Sequence, residues 1–195
     1  MKFFLNLLLN LLSALFWFLL MLSFSDIKMT ILTIIAAVAH ELGHVGVLCF
    51  LKKDFSLPRA VTSGFRIKTY AQASYKEEIA IAFGGPVINL IFALVFAQTS
   101  AAFAVINLAT ALSNLMPMKD FDGYKIVHDF LAIAFGCELS ERLMPHITVF
   151  VSSLFVFLSL FMIMFFDGGY WIFFIFFTVF LQQILFLQNN TNFED

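Results

Sequence analysis

Charge is the scarcest commodity in this chain. Asp, Glu, Lys and Arg make up only 12% of 195 residues, about half the share of an ordinary soluble domain. The net charge of -2 gives no hint of nucleic-acid binding, and no nucleic-acid partner is expected. Cysteine is almost missing too. Cys49 and Cys137 are the two in the chain and form no CxxC pair. That excludes a disulfide framework and gives no sign of a cysteine-based metal cluster. No heptad array or internal repeat is present, so neither a coiled coil nor a solenoid is indicated.

What fills the space is apolar. Hydrophobic residues reach 62%, phenylalanine alone supplies 28, and mean hydropathy is +0.96. These residues run in blocks, and a bilayer core of roughly 30 Å needs about 20 of them per helix. Six blocks are apparent: 3–24, 29–51, 79–96, one from 101 that Pro117 interrupts, 143–166 and 170–187. The first lacks a small-x-small cleavage signal and is longer than a usual signal core, so a retained helix is expected. Threading six spans with the N-terminus inside places ten Lys and Arg on the inner side and Lys28 alone outside. The positive-inside rule then puts both termini in the cytoplasm. The expectation is an all-α membrane protein of about six transmembrane helices, with helix 4 broken. It forms a single domain over 1–195 with its core at 28–135, and little chain is left over for a soluble domain. Between helices 2 and 3, Ser63-Gly64 and the loose alternation of Phe65 to Tyr70 predict a short cytoplasmic β-hairpin.

One block carries chemistry. His40-Glu41-Leu42-Gly43-His44 places two imidazoles at i and i+4, on one face of a helix. Both can reach one ion, with Glu41 beside them to take a proton from water. From the composition, this pattern would arise by chance about once in 400 such chains. Ionisable groups inside an apolar span are costly unless paired or liganded, which marks them as functional. Leu42 precedes Lys52 by about 15 Å of helix, so the ion would lie below the cytoplasmic rim. Zinc fits nitrogen and oxygen ligands, and three protein ligands plus water is its catalytic pattern.

The third ligand must come from elsewhere. His128 and His146 are expected at the surface or membrane interface. Asp54, Glu77 and Glu78 lie in a basic, solvated loop. The stretch Asn114-Leu-Met-Pro-Met-Lys-Asp120-Phe-Asp122-Gly123 ends an apolar run, with Pro117 to break the helix and Gly123 to allow close backbone approach. Asp122 is favoured over Asp120 by the glycine that follows it, without excluding Asp120. In Gly84-Gly85-Pro86-Val87-Ile88-Asn89, small residues allow a helix to press against the metal-bearing one, and Asn89 can hydrogen-bond nearby.

Taken together, the HELGH of His40 to His44, the GGPVIN of Gly84 to Asn89 and the NLMPMKDFDG of Asn114 to Gly123 resemble, in order and spacing, the site-2 protease family of intramembrane zinc metalloproteases. The resemblance is to its compact bacterial and archaeal type, including the sporulation factor-processing branch, and covers about residues 30 to 130. It implies a Zn2+ cofactor held by His40, His44 and Asp122. It also implies Glu41 and Asn114 in catalysis, and Asn114 in substrate binding, where Asn89 also stands as a candidate. The implied substrate is a transmembrane segment of a membrane-anchored protein, met in the cell membrane among lipids. Tyr124 stands where the family often has a second glycine, and the PDZ or CBS domains of many relatives have no counterpart here.

Two other readings compete. A noncatalytic metal-binding membrane protein would hold a client without cutting it. A channel or transporter would string ionisable residues along several helices, whereas blocks one, five and six have almost none.

Overall fold

A computed structural model describes residues 26–53, 55–61, 64–69, 73–166 and 170–191. The first apolar block, 3–24, lies outside these residues. The chain divides into two compact units, Met1–Ser113 and Asn114–Asp195.

In the first unit, α1 spans Ile27–Phe50. The Asp26 side chain accepts the Met29 N–H at 2.7 Å and so caps the helix. Two strands follow, β1 (Phe55–Val61) and β2 (Gly64–Thr69), paired antiparallel with Val61 opposite Gly64 and Phe55 opposite Thr69. Next comes α2, Tyr75–Val95. It opens with a capping box in which Ser74 and Glu77 satisfy each other's backbone donors. The Lys53 ammonium meets Glu77 at 3.0 Å and ties the end of α1 to the start of α2. The unit closes with α3, Ala101–Asn114.

Helices α1 and α2 touch backbone to backbone. A Cβ on Gly43 would collide with the Gly84 carbonyl, and one on Gly84 would stand 2.6 Å from the Gly43 carbonyl oxygen. Small residues permit this approach, which is how helices associate where lipid removes the hydrophobic drive between them. At the far end of α2, the Phe92, Phe96 and Phe103 rings form an edge-on cluster that seats α3.

The second unit holds α4 (Asp122–Phe135), α5 (Cys137–Phe166) and α6 (Tyr170–Thr191). A single residue, Gly136, joins α4 to α5, and its φ of 95° is one that side chains avoid. The Ser140 hydroxyl donates to the His128 carbonyl at 2.7 Å across that joint. The break expected near Pro117 runs from the end of α3 to the start of α4. It is held on α6: the Lys119 N–H donates to Gln183 Oε1 at 3.1 Å, and the Lys119 ammonium lies 4.2 Å from the centre of the Phe186 ring.

Among the described residues, three helices, Ile27–Phe50, Tyr75–Val95 and Cys137–Phe165, are long and apolar enough to cross a membrane. Large apolar side chains such as Leu94, Phe157 and Met164 are exposed along them. Hydroxyls well inside these helices are satisfied by their own helix, as where Thr33 donates to the Met29 carbonyl, Ser152 to that of Val149 and Ser159 to that of Val156. A helix surrounded by hydrocarbon requires such pairing.

Candidate metal and catalytic site

The helical turn of α1 brings His40 and His44 together, ring centres 4.8 Å apart and nearly perpendicular. What orients the rings is the first question. The buried Asn89 carboxamide on α2 lies 2.6 Å from His40 Nδ1 through its Oδ1. Its nitrogen donates to the Ala36 carbonyl at 3.0 Å and to Asn107 Oδ1 at 2.8 Å. The Asn107 nitrogen in turn donates to the Phe103 carbonyl at 2.9 Å. This chain has one consistent direction. Main-chain carbonyls only accept, so both amide nitrogens must point at them, and Asn89 Oδ1 must accept from a protonated His40 Nδ1.

His44 is fixed in the same sense. Its Nδ1 lies 2.7 Å from the Ile81 carbonyl and 3.3 Å from the Gly85 N–H; the shorter contact is to a group that can only accept, so Nδ1 donates there. With both Nδ1 atoms donating, the Nε2 atoms are the ones turned toward each other. These two nitrogens are 3.2 Å apart. Two nitrogens bound tetrahedrally to zinc at about 2.0–2.1 Å stand about 3.3 Å apart. A donor partner behind each ligating ring is also the rule at metal sites. The geometry of the pair therefore fits a zinc ion.

Gly85 makes room for it. A Cβ there would lie 2.6 Å from His40 Cε1, His40 Nε2 and His44 Nε2. The glycine lets the α2 backbone approach the metal-binding edges of both rings. Glu41 is the next residue after His40 on α1 and is half-buried.

The remaining candidates lie in the second unit. Asn114 ends α3, and Asp122 is the first residue of α4, both half-buried. The loop between them is pinned by Gly123, where a Cβ would collide with the Leu115 and Met116 carbonyls. Asp120 takes φ 81°, a left-handed turn conformation that Asp tolerates better than most residues. The structure thus makes Asp120 a turn residue and Asp122 a helix-start residue.

For Asn89 the expectation was contact with substrate. The structure places it at 0% exposure behind His40, with its oxygen and both amide hydrogens already engaged. A buried amide with every polar atom committed orients the histidine instead. Asn107 carries no role in the sequence motifs. It is fully buried and holds Asn89 in place. The Ile81 carbonyl, being main chain, left no signal in the sequence.

No known family profile matches the sequence, and no curated protein matches it either. Among solved structures, the chain is similar to the site-2 protease from Methanocaldococcus jannaschii, with a TM-score of 0.60 at 18% identity. The match covers 93% of this chain and 87% of that one. The chain therefore has a site-2 protease-like fold.

Proposed function

We propose that this chain is an intramembrane zinc metalloprotease that hydrolyses peptide bonds within or near the transmembrane segments of membrane-anchored proteins. The observation that carries this reading is the pair of imidazoles held at Nδ1 with their Nε2 atoms 3.2 Å apart on an apolar helix, the spacing of two nitrogens on one zinc ion. His40 and His44 supply two ligands and Asp122 the third, a donor set that suits zinc. Zinc bound there lowers the pKa of a water molecule toward neutrality and polarises the scissile carbonyl.

The chain's own residues do the rest. Glu41 takes the proton from water as it attacks the carbonyl carbon, then returns it to the leaving amine. The Asn114 amide donates a hydrogen bond to the oxyanion. Asn89 holds His40 by its Nδ1 so that Nε2 is the atom that would meet the metal, and Gly85 leaves the space the ligand set needs. A helical substrate hides its carbonyls in i to i-4 bonds and must unwind first. The strand pair β1–β2 offers an edge on which the unwound segment can lie as an added strand.

In this reading the chain is one metalloprotease domain of six spans in the cell membrane, with both termini in the cytoplasm. Co-expression with membrane-anchored regulators tests it. Glu41→Gln abolishes cleavage while purified protein keeps its zinc, and Asp122→Ala loses both. Full cleavage by Glu41→Gln, against a client that the wild type also cuts, would overturn the role of Glu41 as the base.

A further inference from the structure

A second group of ligand-type side chains lies at the α4–α5 joint, apart from the histidine pair of α1. One ligand atom from each of His128, Cys137 and Glu141 lies within 4.8 Å of the other two. Cys137 and Glu141 occupy i and i+4 of α5, so they share a face. Cys137 Sγ lies 3.4 Å from Glu141 Oε1, close to the roughly 3.5 Å that separates two ligands of a tetrahedral zinc ion. The one-residue link at Gly136 and the Ser140 hydroxyl on the His128 carbonyl bring the third member alongside.

An independent observation comes from Asp129. It is only 3% exposed, and its Oδ1 accepts from His128 Nδ1 at 2.8 Å. Its Oδ2 is buried and has no hydrogen-bond partner among the described residues. A carboxylate taken out of water with one oxygen unanswered is costly. A positive charge drawn onto the ring it holds offsets that cost. With Nδ1 committed to Asp129, His128 keeps Nε2 for a ligand. A carboxylate behind a histidine is the arrangement that fixes the tautomer and raises basicity at metal sites. The Tyr124 ring stacks on His128 at 6.0 Å.

We infer that His128, Cys137 and Glu141 form a second divalent-metal site, of zinc type, which clamps α4 to α5 with Asp129 as the residue that positions His128. One nitrogen, one sulfur and one oxygen suit a borderline ion better than Mg2+ or Ca2+, which favour all-oxygen sets. Binding displaces the thiol proton of Cys137 to solvent as the metal–sulfur bond forms, with no redox change. The site stands or falls apart from the proposed protease chemistry, since none of its residues belongs to that site.

Cobalt(II) alone is the probe. The full chain is purified in detergent with Cys49→Ser as background, leaving Cys137 as its one thiol, and with His40→Ala and His44→Ala to remove the first site. Titration gives about one bound cobalt and a thiolate-to-cobalt charge-transfer band in the near ultraviolet. Adding Cys137→Ser abolishes the band, and Glu141→Gln or Asp129→Asn weakens binding by about 10- to 100-fold. Absence of the band in the background protein, or its survival in Cys137→Ser, overturns the assignment. A folded His128→Ala variant that binds as tightly as the background would overturn it as well.

Discussion

Replacing Gly85 by alanine tests the ligand geometry with a single methyl group. The new Cβ would stand 2.6 Å from three imidazole atoms, against an ordinary carbon–nitrogen contact of about 3.5 Å. The rings must withdraw by about 0.9 Å. Each is tethered at Nδ1, His40 to Asn89 at 2.6 Å and His44 to the Ile81 carbonyl at 2.7 Å. Motion of that size stretches these bonds to about 3.5 Å, the limit of useful geometry. Losing the partner behind a metal-binding histidine costs about 10- to 100-fold in affinity, or about 1.4–2.7 kcal/mol. Gly85→Ala is therefore expected to bind zinc 10- to 100-fold more weakly, read by competition against a chromophoric chelator. Cleavage should recover in part when zinc is raised. Gly46→Ala on α1 is the matched control. Nothing lies within 4 Å of its Cβ position, so zinc affinity stays put and helix propensity gains about 0.5–1 kcal/mol, seen as a higher Tm. Wild-type zinc affinity in Gly85→Ala would refute the claim that the two rings are held in place at that backbone.

Two further outcomes follow from the same contacts. Asn89→Ala removes the partner of a buried His40 Nδ1 and strands the Asn107 oxygen. It should cost about 1–3 kcal/mol in thermal unfolding and weaken zinc by about 10-fold or more, while Asn89→Asp should restore the orientation of His40 and part of the affinity. Gly123→Ala drives a methyl into the Leu115 and Met116 carbonyls. Neither is a flexible side chain, so the loop from Asn114 to Phe121 must move, with a loss of about 1–3 kcal/mol and faster proteolysis at that loop in a limited-digestion time course.

Much of this was legible in the residues themselves. The i, i+4 spacing of His40 and His44 is a property of any helix, so their convergence needed no tertiary information. Gly84-Gly85 announced a close approach, and the structure supplies its partner, Gly43. Pro117 and Gly123 announced the break between α3 and α4. The orientation of the rings was not legible, because Asn89 and Asn107 find their partners across 49 and 18 positions. A single sequence carries no record of such pairings. The start of α5 was also misjudged. Hydropathy begins at Leu143, but the helix begins at Cys137, sustained through its polar turn by the Arg142–Glu138 pair at 2.9 Å. That same polar turn carries Cys137 and Glu141, which look unrelated to His128 until Gly136 folds the two helices together.

The amide relay also has a polarity that outlasts its role as a support. Each carboxamide passes its orientation to the next, from the Phe103 carbonyl to the imidazole, like gears meshed in one sense. Any agent that grips α3 and turns it thus has a lever on the His40 ring. In the proposed protease, metal affinity would then be set from α3, with no competitor for the metal involved.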